Sequence, residues 1–271
     1  MKDIVNLLTE KEKIHLDYLS KTLDFGADEL NRQVQSDDLN YLQNFLLYSF
    51  VPVHNFSESI FLLCKDSRPH TAQVLLRSIY EAYMTIEYIK NADTDKRLAL
   101  FAKDSFRTRK GHICELESLV KRYPHLENST PVLEKTNIAS LRKFVEDHLS
   151  GFKSANGLDG EDLPKFIEMI KQMDKESVGD KKGRHELSYN IMYRQLSQYT
   201  HLSSWGLELF ASQGPDTITY SLGQEKEVDY IVGQTFLYYF DLLDGLYKHK
   251  VLQGEIPKIY RDWFNEVKAE I

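Results

Sequence analysis

The stretch TAQVLLRSIYEAYMTIEYIK, Thr71 to Lys90, decides the fold class. Val74, Leu75, Leu76, Ile79, Tyr80, Ala82, Tyr83, Met84, Ile86 and Ile89 leave it little polar face, and it holds neither glycine nor proline. A helix that is apolar nearly all round belongs at the centre of a core. Arg68-Pro69 starts it, proline being suited to a first turn.

Amphipathic helices are expected on both sides of this segment. Ile4 to Phe25 places Ile4, Leu7, Leu8, Ile14, Tyr18 and Leu19 near one face. Gly26 is expected to stop that helix, with another starting from Ala27. Asp37 or Asp38 is a candidate cap for an apolar helix through Leu39, Leu42, Phe45 and Leu46. Pro52 is expected to kink or break it, and Ser57 to Cys64 continues its direction. Downstream, Asp93-Thr94-Asp95 is a turn and cap before a basic helix, Lys96 to Tyr123, and Pro131 to Leu149 is a further helix. Ser150 to Asp162 and Asp174 to Arg184 read as loops, of a lid or, the favoured reading, of a variable insertion, flanking a helix from Leu163 to Met173. Helix resumes from Glu186 to Ala211, Thr217 to Leu222 alternates as a short strand, and Val228 to Lys250 and Ile256 to Ala269 close the chain.

With no repeat or linker in view, the expectation is an all-α multi-helix bundle of one domain over 1–271. Peripheral N-terminal helices cover 1–65, the core 69–250 and a C-terminal helix 256–270. Few breakers (13 Gly, 7 Pro) against 16 Tyr and 14 Phe agree with this. Of 271 residues 42% are hydrophobic, enough for a sizeable core. A net charge of −7 argues against non-specific coating of nucleic acid, though a local basic patch is compatible with it. Cys64 and Cys114 lack metal-ligand spacing and read as reduced thiols. The opening Met1-Lys2-Asp3 does not lead into a secretory signal. No run reaches the ~18 apolar residues a membrane span needs. A cytoplasmic location follows as an expectation.

Two helices carry polar residues where an ordinary bundle would not. Arg77 and Glu81, four apart on the apolar segment, share a face and need pairing if buried. They read either as a core ion pair or as support for a site. The second helix, Tyr189 to Gly206, sets Asn190, Arg194, Ser197, His201, Ser204 and Glu208 in one polar stripe at about 100° per residue. Tyr193, Leu196, Thr200, Ser203, Leu207 and Phe210 form the apolar stripe beside it. An ordinary surface helix shows such a pair of stripes too. What favours a site is composition: the polar stripe has no lysine and collects the side chains that handle phosphates and protons. Arg194 and His201 lie about 10 Å apart along the axis at 1.5 Å per residue. Arginine binds phosphate oxygens as a fork, and histidine titrates near neutrality.

The segments Leu75 to Glu81 and Tyr193 to Ser204 resemble an uncharacterised bacterial family of helical proteins: an Arg with a Glu four later, then a later helix carrying Tyr, Ser and His. More remotely, Arg194 and His201, with Gln195 after the Arg, are similar to the Arg–His signature of HEPN proteins, helical and commonly dimeric domains, many of them metal-independent endoribonucleases of toxin or phage-defence systems. The resemblance implies a HEPN-like core with extra helices, a homo-oligomer and no metal or other cofactor. It implies cleavage through the 2′-hydroxyl of RNA, with His201 as general base or acid and Arg194 stabilising charge on the phosphorane. Asn190 and Ser197 would position the phosphate, Tyr193 would stack a base, and Arg77, Glu81 and Ser204 would support the site.

Positive charge for RNA is offered by Lys96, Arg97, Lys103, Arg107, Arg109 and Lys110 on one helix and by Lys181, Lys182 and Arg184 before the candidate helix; both sets also read as solvated charge. Two other functions stay open. One is a non-catalytic regulatory module that docks on a protein partner, such as an antitoxin, through Trp205, Tyr238, Tyr239 and Trp263, which equally suit a core. The other is a binder of a small anionic ligand or nucleotide. No Glu-x-x-His pair, P-loop, dinucleotide fingerprint, His-Glu-x-x-His or Gly-x-Ser-x-Gly motif is present.

Overall fold

The side chains that fill the turns of this chain are long and apolar, and the backbone responds with helices. A computed structural model describes residues 8–33, 39–66, 68–127, 129, 135–156, 158, 160–194, 196–197, 211–213, 218–220 and 228–271. In chain order its helices are α1 (Glu10–Gln33), α2 (Tyr41–Lys65), α3 (Pro69–Asn91), α4 (Thr94–Arg122), α5 (Lys135–Asn156), α6 (Phe166–Glu176), α7 (Arg184–Ser188), α8 (Val228–Lys248) and α9 (Lys258–Glu270). Two three-residue strands, β1 (Ala211–Gln213) and β2 (Ile218–Tyr220), pair antiparallel with Ala211 opposite Tyr220. The protein is all-α in class, a multi-helix bundle. Among the described residues no helix is long and apolar enough to cross a membrane.

The chain divides into two compact units, Met1–Glu87 with Phe166–Ile271, and Tyr88–Lys165. In the first, α8 packs against both α1 and α2, and α9 closes on α8 and α1. Leu19, Val53, Ile60, Phe236 and Tyr239 are fully buried there. The N-terminal helices, expected at the periphery, are thus part of the core. The reason is that α8 is apolar over most of its circumference and needs cover on more than one side.

Two expected breaks do not occur. α1 opens with a capping box, Thr9 and Glu12 each accepting the other's backbone N–H, and then runs straight through Gly26. Gly26 is there because α8 comes close: a Cβ at that position would lie 2.0 Å from the Tyr239 hydroxyl. α2 opens with a box between Asn40 and Gln43 and contains Pro52 without ending. Pro52 sits on the exposed side with Tyr48, whose carbonyl it deprives of a helical donor, so the bond is lost on the solvent side of α2 and not in the core. The candidate caps Asp37 and Asp38 lie outside the described residues.

The second unit is built on α4 against α5. Ile113, Val120, Ile138 and Val145 form its core, with Phe106, Leu116 and Leu149 packed on them. Arg97, read as part of a basic face, is instead buried over the Tyr88 ring, 4.0 Å from its centroid, and donates to the Tyr88 carbonyl. Lys103 is buried too, its Nζ donating to the carbonyls of Leu158 and Glu161 at 2.7 Å each.

Candidate functional site

The site grows from α6 and α7 in the first unit. Asp174, near the end of α6, is buried, and its two carboxylate oxygens accept the backbone N–H groups of His185 (3.1 Å) and Glu186 (2.7 Å). These are orphan donors of the first turn of α7, so a side chain well upstream caps the helix. After Ser188 the helix widens into a π turn over Tyr189–Tyr193, closed by the Arg194 N–H donating to the Tyr189 carbonyl. Wide turns of this kind are uncommon and gather at functional sites.

The π turn places two rings together. Tyr189 and Tyr193 stack with centroids 4.9 Å apart at 16°. Phe166, the first residue of α6, lies 6.0 and 5.1 Å from them, and Tyr80 of α3 meets Phe166 edge-on at 6.2 Å. Into this aromatic wall comes Arg77 from α3. Its guanidinium sits 4.7 Å from the Tyr193 centroid, Nη2 donates to the Tyr193 hydroxyl at 2.9 Å, and Nε donates to Glu81 at 3.1 Å. The Arg77 side chain is 15% exposed and that of Glu81 41%, so the pair spans from the wall to solvent.

Burial shapes the titration of these phenols. The Tyr80 hydroxyl is pushed up to about 12 by burial, with Ser188 pulling the other way. Tyr193 is raised first by burial and then by Glu81, against the pull of Arg77. Both rings therefore stay neutral at working pH, and Tyr193 meets Arg77 as a phenol and a π-face.

Of the residues picked from sequence, Arg77, Glu81 and Tyr193 come together in one cluster. Arg194 follows Tyr193 directly and is exposed, as is Asn190, whose amide donates to the Glu186 carbonyl of its own helix at 2.8 Å. Ser197 is half-buried, while Met192 and Leu196 turn inward. A regular 100° wheel places these residues only loosely, because the π turn advances by less than 100° per residue between Asn190 and Arg194. His201, Ser204 and Glu208 lie outside the described residues. Lys181 and Lys182, just before α7, and Arg184, its first residue, are exposed. In the second unit, Lys103, Arg107 and Lys110 line a groove of about 420 Å³, where Arg107 pairs with Asp162 and Lys110 with Glu146 at 3.5 Å. Arg109 is exposed over the Phe106 ring at 5.6 Å. Among the described residues no group of His, Cys, Asp or Glu is placed to hold a metal.

The aromatic residues considered for docking are mostly spent inside the fold. Tyr239 is fully buried, and Trp263 stacks on Tyr18 at 4.7 Å. Tyr238 is packed between Tyr80 and Tyr83, and Trp205 lies outside the described residues. Three contributors escaped the sequence reading: Asp174, Phe166 and the π turn. Only the four-residue spacing of Tyr189 and Tyr193 hinted at them.

Residues 43–218 match the model of a family of unknown function, DUF5677. No curated protein and no solved structure matches the chain.

Proposed function

The chain belongs to DUF5677, and on that premise we propose that it is a cytoplasmic, metal-independent endoribonuclease whose reacting side chains, Arg194 and His201, follow α7 in the chain. The observation that carries this reading is the Arg77–Tyr193 contact. It joins the two segments that stood out in the sequence, and it does so one residue before Arg194.

In the proposed reaction His201 takes the proton of a ribose 2′-hydroxyl. The freed oxygen attacks the adjacent phosphorus, the bond from phosphorus to the 5′-oxygen of the next nucleotide breaks, and that oxygen takes its proton from water, while protonated His201 returns its own to solvent. The products are a 2′,3′-cyclic phosphate and a 5′-hydroxyl. Arg194 holds the charge that builds on the phosphorane oxygens. Tyr193 and Arg77 act as a buttress: Tyr193 is already stacked on Tyr189 and engaged by Arg77, which leaves base stacking to other groups.

The test is incubation of purified protein with RNA in the presence of a chelator, with end-group analysis of the products. Expected are cyclic-phosphate ends and a loss of about 100-fold or more in rate for His201→Ala and for Arg194→Ala. Full cutting by both variants would overturn the proposal.

One observation favours a second reading, a helical protein-binding module. The outer side of α2 exposes Tyr41 (89%), Tyr48 (75%) and Leu62 (54%). Recovery of one stoichiometric partner, lost on Tyr48→Glu, from a protein that cuts no RNA would favour that reading over the first.

A further inference from the structure

Away from α7, the first unit has a groove of about 480 Å³ between α8 and α9, with Tyr83 of α3 at its side. One face of α8 supplies Gln234, Leu237, Tyr238, Asp241, Asp244 and Lys248, at the 3–1–3–3–4 spacing of a helical stripe. One face of α9 supplies Arg261, Phe264, Asn265 and Lys268. Phe264 stacks on Phe240 at 4.7 Å and makes an apolar floor with Leu237 and Tyr238.

The charged groups divide into two sets. Buried Asp244 is committed: Lys248 reaches it at 2.6 Å and Arg261 at 3.1 Å, the latter off the hydrogen-bonding direction, so one buried oxygen lacks an aligned donor. The other set is not committed. Asp241 receives one hydrogen bond, from the Tyr83 hydroxyl at 2.7 Å, and no cation pairs with it among the described residues. Burial and Asp241 hold the Tyr83 phenol neutral, so it remains a donor. Lys268 lies over the Phe264 ring at 5.4 Å with no carboxylate paired to it among the described residues. The amides of Gln234 and Asn265 face the same groove.

A carboxylate supplied only by a phenol, beside aromatic faces, suits a protonated amine. A bare cation is the wrong ligand, however, because two carboxylates against three cations leave the lining net positive. A molecule carrying both an ammonium and a carboxylate matches Asp241 and Lys268 together and adds no net charge. Leu237, Tyr238 and Phe264 give its remaining part an apolar bed. We propose that this groove binds a free amino acid with an apolar or aromatic side chain, its ammonium on Asp241 and its carboxylate on Lys268.

Isothermal titration calorimetry of the full chain tests this with three probes: L-phenylalanine, phenethylamine (which lacks the acid) and 3-phenylpropionate (which lacks the amine). Expected is saturable binding of phenylalanine, with each truncated probe weaker by tenfold or more for the charge-assisted contact it forfeits. Asp241→Asn keeps an acceptor for Tyr83 and should abolish binding. Lys268→Gln, at an exposed position, should weaken phenylalanine while leaving phenethylamine unchanged. No saturable heat with phenylalanine, phenethylamine binding as well as phenylalanine, or wild-type affinity in both variants would each overturn the proposal.

Discussion

A methyl group at position 26 would meet the Tyr239 hydroxyl at 2.0 Å, with the ring carbon behind it at 3.1 Å. Tyr239 is fully buried and held by His54, whose Nδ1 lies 2.9 Å from the same hydroxyl. The ring therefore has no room to withdraw, and Gly26→Ala should cost about 1–3 kcal/mol by overpacking, read from the urea midpoint. His54 itself makes stability depend on pH. Burial lowers its pKa from the ordinary 6.5, against weaker opposite pulls from Glu58 and Asp24. The fold thus favours the neutral ring. That contribution is complete above the unfolded value and is lost as pH falls through the lower, folded value. Between about pH 7 and about pH 5, urea midpoints should fall more for wild type than for His54→Gln. At this scale the sequence was a partial guide. Gly26 and Pro52 are breakers by type, but their effect is set by what lies opposite, Tyr239 in one case and solvent in the other.

Among elements, α3 and α8 were the most legible, because long apolar runs with no proline inside them have few alternatives to a buried helix. α7 was the least. Its cap comes from Asp174, eleven and twelve residues before the amides it satisfies. No local pattern announces such a contact. The π turn that follows it defeats a wheel drawn at constant pitch, so Asn190, Arg194 and Ser197 do not keep the even angles such a wheel gives them. Because Asp174 supplies both bonds from inside the fold, Asp174→Ala should leave two amides without a partner and cost about 1–3 kcal/mol. Hydrogen exchange should quicken over residues 184–197, with α1 and α2 unchanged. Unaltered exchange there would show that α7 is held by its aromatic wall alone.

For the whole molecule, helical class was readable from composition and period, but its division into two units was not. The second unit has its own small core, and every residue of that core comes from α4 or α5. Ile138→Ala should remove about 2–5 kcal/mol from that unit. Exchange should accelerate across α4 and α5 while amides of α8 keep wild-type protection. Equal acceleration in both units would show one cooperative structure.

The order of the helices along the chain also sets a timetable for synthesis. The second unit is contiguous, so it can close once residue 165 has left the ribosome. The first is not: α1 and α2 find their main partner in α8, which emerges more than 160 residues after α2 ends. At ~5–20 residues per second the nascent chain carries uncovered apolar faces for roughly ten to forty seconds. For that interval Leu19, Phe50, Val53 and Ile60 are chaperone-binding surface, and their burial waits for α8.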